Sequence, residues 1–537
     1  MSRIWYRWAA ASSLVICSAG AVLVVGWPVL RMLAEAISAV ATTRAFPGLG
    51  HTMAVSSALA LTVTVIGTVL AFALALTART LRPGWRHLLD AVLGGLLLVP
   101  PYVVAASVVA VGGRAGLLTA MLPDVYGGLG MTSAMVVAHL PIPYLTIRMA
   151  WRVVDPRLVE MGRVNGARAA TVVRLVLLPP LRRPLAIAAA LLFVSALSDP
   201  SIPAVLRGRV PTLAHTAYIE VIAWGGEGTA ALIAVLLTLP VLPVLLALWR
   251  GRDPNALADH WQGLSPSPRL VLPRSVLVQA CRALSVLVLA IVLTLALAAL
   301  ITMFRARGSL LTPMMMDVIG STVRYAVAAL LLSVPVGLMT AWASGRGSKR
   351  LARSVDLLQT SLLLMPGTTL GIAIFLAYGL GTRTPLGELP ALVGGASLAS
   401  GSVAIVAVFM APAVPMVHLA ARAGQRQIPV PVLETARVLG AGRRRVAVGL
   451  FLPQTGALVA ATGAAVVARN IVSVAPVVFV STPDAPMVAS FALDLLDRAA
   501  LEQTFALAAV VALLVGGASA LVAGASATVL GARRRPA

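Results

Sequence analysis

Run length constrains this chain more than any other feature. Stretches of about 20 mainly apolar residues recur along it, which is the length a helix needs to cross about 30 Å of hydrocarbon. Twelve candidates meet that criterion. They lie near 9–33, 53–78, 88–111, 131–150, 185–206 and 229–249, and then near 276–303, 322–344, 356–378, 397–420, 456–480 and 504–530. The fifth and eleventh are interrupted by polar residues at their far ends. Prolines Pro100, Pro101 and Pro366 break the third and ninth, as gating bends or packing kinks. The expected fold is all-α: a polytopic membrane protein of about 12 transmembrane helices in two homologous six-helix halves.

Composition excludes the soluble alternative. Hydrophobic residues make up 59% of the chain and charged residues 11%, with a mean hydropathy of +0.95. A soluble protein needs about a quarter charged residues to cover its surface, so this surface must face lipid. The net charge of +24 does not point to nucleic acid, because the arginines are scattered in short clusters and no basic domain stands apart. Lys349 is the single lysine. Cys17 and Cys281 lie in apolar runs, where their number and place exclude a disulfide framework, and Cys17 is read as a buried residue.

The N-terminal "MSRIWYRW" and its apolar run are read as an uncleaved first membrane helix rather than a signal peptide. Placing Arg3 and Arg7 in the cytoplasm puts the arginine-rich loops inside, which fits the positive-inside bias. Arg44, Arg114, Arg207, Arg209, Arg305, Arg307 and Arg383 fall outside. The expected location is the inner (plasma) membrane, multi-pass, with both termini cytoplasmic.

The proline-rich stretch near the midpoint, residues 251–275, divides six crossings from six. It separates a first half, 1–250, from a second, 276–537. Within the first, "VEMGRVNGARAATVVRLVLLP" runs from Val159 to Pro179. Within the second, "LETARVLGAGRRRVAVGLFLP" runs from Leu433 to Pro453. Glu160 and Glu434 are offset by 274 residues (434 − 160), and so are Gly166 and Gly440, and Pro179 and Pro453. Gly67 and Gly337 match at an offset of 270 (337 − 67). This spacing argues for duplication.

Each copy reads as a short helix with a sharp end. Asp155-Pro156 and Pro429 to Pro431 are start signals. Glu160 and Glu434 are expected early in the helix, where a carboxylate favours the positive dipole end. Gly166-Ala167 and Gly440-Ala441 follow, and glycine can end a helix at positive φ. Leu178-Pro179 and Leu452-Pro453 turn the chain back toward the bilayer. A positive loop that merely fixes topology would explain the arginines, but not this spacing twice.

The two segments, within loops 151–184 and 421–455, resemble the EAA loop of the membrane subunits of ATP-binding cassette importers. Glu-Met-Gly and Glu-Thr-Ala stand for the family's Glu-Ala-Ala, and Val176 and Leu450 replace its usual isoleucine. Two such halves in one chain are similar to permeases of the ferric-iron importer family, and less closely to thiamine permeases. The stretches Ser195 to Tyr218 and Val467 to Leu496 resemble segments that follow the loops in the ferric-iron type. The usual Arg-Glu pair reads Arg469-Asn470 here.

The resemblance implies that Glu160, Gly166, Ala167, Leu178, Pro179, Glu434, Gly440, Ala441, Leu452 and Pro453 couple the chain to a cytoplasmic ATP-binding cassette ATPase dimer. It implies an extracytoplasmic substrate-binding protein as a second partner. The expected cargo is ferric iron, with thiamine, phosphonates or polyamines as alternatives in the same family.

"GRGSKRLAR", around Lys349, fails the phosphate-binding loop pattern. ATP hydrolysis is therefore assigned to the partner, and no cofactor is expected in this chain. The six histidines lack paired ligand spacing, so no metal site is expected. No catalytic motif suggests an enzyme.

Charges within membrane spans are costly and usually face a cavity. Asp199, and Arg469 with its neighbour Asn470, are therefore candidates for a translocation pathway. The competing reading for the charged pair is a residue at the interface that snorkels to water. An ion-coupled secondary transporter is the reading of another class. It would need carboxylates inside helices, where Asp199 stands almost alone.

Overall fold

A computed structural model describes residues 22–42, 48–114, 116–121, 124–151, 154–250, 272, 275–305, 311–346, 349–379, 382–384, 387–389, 391–393, 401–426, 428 and 430–532. Arg3, Arg7 and Cys17 lie outside them, as does nearly all of the expected linker.

The first half opens with α1 (Trp27–Thr42) and α2 (Leu49–Thr80). Proline then punctuates the chain. α3 (Pro83–Leu96) has proline in its first turn, and α4 (Pro101–Gly112) starts directly after Pro100. Neither proline has an N–H to continue the ladder, and each disfavours a helical residue before it. The axis turns by 99° between α3 and α4. α5 (Gly128–His139) and α6 (Pro141–Ala150) bend by 40° at Leu140-Pro141.

Next come α7 (Pro156–Val164), α8 (Ala169–Leu197), α9 (Ser201–Leu206), α10 (Leu213–Ile219), α11 (Glu227–Thr238) and α12 (Val241–Arg250). The expected fifth span, 185–206, shifts accordingly. Its helix begins earlier, and Ser198 to Pro200 end it before α9.

The second half holds α13 (Val276–Phe304), α14 (Pro313–Arg346), α15 (Lys349–Leu363) and α16 (Gly367–Tyr378). α15 and α16 meet at 94° across Pro366. A three-residue antiparallel pair, β1 (Thr382–Thr384) and β2 (Gly387–Leu389), follows. Then come α17 (Ser402–Arg426), α18 (Val430–Val438), α19 (Leu452–Val472), α20 (Val488–Asp497) and α21 (Leu501–Ala532).

Among the described residues, seven helices are long and apolar enough to cross a membrane, or ten if each bent pair is one span. The remaining two expected runs fall on the shorter apolar helices Glu227–Pro243 and Leu458–Val472. The architecture is helical and suited to a bilayer.

The halves interlock. α1 packs on α16 as well as α11, while α13 packs on α2 and α4, so helices from either side of the expected linker are in contact. One apolar core runs through both halves, from Val63 and Met131 to Phe409 and Val511. Gly67 and Gly337 both sit where a Cβ would overlap a neighbouring helix, at Leu192 and Val417. Cys281 is buried.

Candidate functional site

The two charged loops fold into short elbows built alike. In the first, the Asp155 side chain accepts from the Arg157 N–H at 2.9 Å, which caps α7, with Pro156 beginning the helix. Gly166 takes φ +70° and Gly440 takes φ +69°. The Ala167 N–H donates to the Gly162 carbonyl at 2.9 Å, and the Gly166 N–H to that of Arg163 at 3.0 Å. This pair of bonds closes a helix around a left-handed residue. In the second elbow the Ala441 N–H donates to the Ala436 carbonyl at 2.9 Å. Glycine is needed at both turns because a Cβ is strained at positive φ.

The Leu-Pro pairs have a local consequence too. A π-helical turn precedes each one, Val173–Leu177 before Leu178 and Ala447–Phe451 before Leu452. Pro179 and Pro453 supply no N–H to the ladder, and the widened turn relieves the clash between the ring and the preceding carbonyl.

Glu160 and Glu434 do not sit in the first turn. Both fall at the fifth residue of their helices, Pro156–Val164 and Val430–Val438, where the dipole has faded. Glu160 instead lies 3.8 Å from Arg163 on the exposed surface, an interaction worth little by itself. Glu434 is exposed as well.

The elbows turn apolar side chains outward. Leu158, Met161 and Val164 are exposed along α7, Val164 at 78%, while Val159 anchors the helix to the core at 2%. On the second elbow Val432, Val438 and Leu439 are exposed, Val438 at 86%. Contiguous exposed apolar groups, rimmed here by arginines, mark interaction surfaces.

Behind each elbow lies a buried lock that the sequence reading missed. Arg148, near the end of α6, donates from Nε and Nη2 to the two carboxylate oxygens of Asp90 on α3, at 3.1 and 3.0 Å. The Tyr144 hydroxyl also donates to Asp90. Arg422, near the end of α17, grips Asp356 on α15 in the same two-point manner, at 3.2 and 3.1 Å. There His418 Nε2 lies 2.9 Å from Asp356 and the Ser344 hydroxyl donates at 2.8 Å. Tyr144 and His418, like Arg148 and Arg422, repeat at the 274-residue offset of the elbows (418 − 144). That repeat was the available signal.

The candidate pathway residues are not brought together. Asp199 lies past the end of α8, and its carboxylate accepts from the Ser201 N–H at 2.8 Å and from the Ser201 hydroxyl at 2.5 Å, at the start of α9. His139 Nε2 is 3.2 Å away. All three residues are buried. Arg469, in the last turn of α19, is exposed, with Nη1 3.6 Å from the Met416 sulfur. Asn470 is 2% exposed and its Nδ2 has no partner among the described residues. Among the described residues no ion pair joins Asp199 to Arg469, and no three metal-ligating side chains converge.

Comparison with protein-family models and with curated proteins found no match for this chain.

Proposed function

We propose that this chain is the fused membrane permease of a binding-protein-dependent ATP-binding cassette importer, in the ferric-iron permease-like class. The observation that carries the reading is the pair of elbows. Two short helices, offset by 274 residues (440 − 166), end in the same glycine-alanine turn and present apolar side chains outward. A loop that only fixed topology would need arginines and nothing more.

In this reading the chain crosses the inner membrane twelve times, as two duplicated halves with both termini cytoplasmic. The seven long helices, three bent pairs and two shorter apolar helices together support that count. Both elbows face the cytoplasm and dock on an ATPase dimer that binds and hydrolyses ATP, while this chain is no enzyme itself. Closure of the dimer draws the elbows together and opens the pathway outward, where a substrate-binding protein delivers cargo. The two-point locks support transmission, because each ties a helix leading into an elbow to a bent pair. Asp199, Arg469 and Asn470 are assigned to the pathway. Ferric iron is the first candidate cargo; thiamine, phosphonates and polyamines follow.

Co-purification tests the reading. The tagged chain should retain an ATP-binding cassette ATPase, and substitutions at Gly166 and Gly440 should release it. Transport that persists with no ATPase attached would overturn the proposal. In the reconstituted complex, the binding protein and ligand that stimulate ATP hydrolysis identify the cargo.

A further inference from the structure

The direction in which Arg469 points separates a pathway residue from one that snorkels. α19 runs antiparallel to α17. A Cβ on Gly424 would meet Thr455 near the start of α19, while Arg469 near its end reaches Met416. At 1.5 Å per residue, α19 rises about 21 Å from Thr455 to Arg469, and α17 about 12 Å from Gly424 back to Met416. The Arg469 side chain therefore leans back toward the N-terminus of its helix, the direction that helical side chains favour. Its Nη1, 3.6 Å from the Met416 sulfur, lies beside the middle of α17, which is a candidate membrane span. An arginine snorkelling from the end of α19 would reach the other way.

The open side of α19 is unlike a lipid face. Past its first turn, the exposed side of α19 carries Gly456, Ala460, Ala461, Ala465 and Arg469, about one helical turn apart. Helices with outward faces expose large apolar groups instead, such as Leu293 and Leu297 on α13 and Leu331 and Leu332 on α14. α19 itself packs on α14, α17, α20 and α21. A guanidinium exposed at the depth of Met416 is costly against hydrocarbon and tolerable against water. The small-residue side of α19 therefore borders a wet space within the bundle.

That space holds a cation without a matching acid. Arg469 makes no ion pair among the described residues. The Met416 thioether is a weak acceptor, so most of the five guanidinium donors remain unused. Asp199 is already occupied, by the Ser201 N–H and hydroxyl and by His139 Nε2 at 3.2 Å. Asp356, which α17 reaches through His418 and Arg422, is held by both. At the 274-residue offset Arg469 matches Ser195 (469 − 274), which is uncharged. A guanidinium fork with free donors is the group that recognises carboxylate, phosphate and similar oxyanions.

We infer that Arg469 sets the charge selectivity of the pathway, and that the cargo carries an oxyanion and a net negative charge. The inference rests on the permease reading and narrows its cargo. Phosphonates fit. Thiamine, polyamines and a bare ferric ion would meet an uncompensated positive charge, so ferric iron fits only as an anionic oxygen chelate.

The test uses the full chain in detergent, with methylphosphonate as the probe. Phenylglyoxal modifies water-accessible arginines and should label the peptide that carries Arg469. Saturating methylphosphonate should slow that labelling by about tenfold. Spermidine at equal ionic strength should leave it unchanged. Labelling of Arg498, which is exposed on the surface, should not respond to either. The phosphorus resonance of methylphosphonate should broaden on the unaltered chain, less on Arg469→Lys, and not on Arg469→Gln.

An Arg469 that takes no label, labelling indifferent to methylphosphonate, or equal protection by spermidine would each overturn the inference. So would equal broadening on Arg469→Gln. None of these readouts needs an ATPase. A chain that retains an ATP-binding cassette ATPase yet fails them loses only the anionic cargo. A chain that passes them yet retains no ATPase keeps an anion site and loses the permease reading.

Discussion

Arg148 holds both carboxylate oxygens of Asp90, and the pair is almost wholly buried, at 4% and 9% side-chain exposure. The two residues are 58 positions apart and fix α6, which leads into the first elbow, to the arm of the α3–α4 bend. Removing one partner of such a pair leaves a buried charge uncompensated, at a cost of about 3–5 kcal/mol, whereas replacing both with apolar groups is often nearly neutral. Arg148→Leu alone should therefore lower the melting temperature in detergent more than Asp90→Leu combined with Arg148→Leu. A double variant at least as unstable as the single would show that the pair itself stabilises the fold.

The second lock has a fuller shell, with His418 and Ser344 also on Asp356. Asp356→Asn keeps the shape and removes the charge that Arg422 faces. We expect a loss of about 1.5–3 kcal/mol, in the range of a charged hydrogen bond, read as a shift in thermal unfolding.

Gly166→Ala and Gly440→Ala isolate a backbone effect. A Cβ at either position meets nothing within 4 Å, so the cost of about 1–2 kcal/mol comes from positive φ alone. If the proposed reading holds, binding of an ATP-binding cassette ATPase should weaken while the long helices stay intact by circular dichroism. Gly442→Ala, where a Cβ also meets nothing and φ is not positive, is the control and should be silent.

The outward side chains of α7 predict a separation of stability from binding. Leu158→Ser with Met161→Ser alters two exposed positions, so unfolding should move by no more than about 0.5 kcal/mol per site. Under the proposed function, capture of an ATP-binding cassette ATPase should fall severalfold. A capture level equal to that of the unaltered chain would remove α7 from the interface.

His215 predicts a pH dependence. It lies on α10, is 5% exposed, and among the described residues belongs to no candidate span and has no partner for either ring nitrogen. Burial pushes its pKa down from 6.5 to about 4, and Arg207 adds to the shift. The folded state therefore holds it neutral while the unfolded chain takes up a proton. Stability is unaffected above about pH 6.5 and is lost as pH falls toward 4, by about 3 kcal/mol in all. Melting at pH 7.5 and 4.5 should differ more for the unaltered protein than for His215→Phe.

The interlock of α1 with α16 and of α13 with α4 predicts that the peptide link between halves is dispensable. Residues 1–250 and 276–537, co-expressed as separate chains, should co-purify in detergent.

Run length, arginine placement and the elbows were legible in the sequence because each is local. A helix cap spans a handful of residues, and the bond from Ala167 to Gly162 crosses only five positions. The glycine and alanine at fixed spacing state that geometry outright. The same locality made Pro100, Pro101 and Pro366 readable as breaks, though not as turns of 99° and 94°, because the angle depends on what each arm packs against.

The locks, the burial of Asp199 against His139, and the exchange of α1 and α13 between halves were decided by tertiary structure. Asp90 reads as one acid in an apolar run, and nothing nearby names Arg148 as its partner. Contacts across 58, 60 and 66 residues arise only when helices pack. Burial then requires each charge to be paired, because an unpaired one would be prohibitive. The sequence therefore determined where long apolar helices form and where the elbows turn, and packing decided which of its charges are joined.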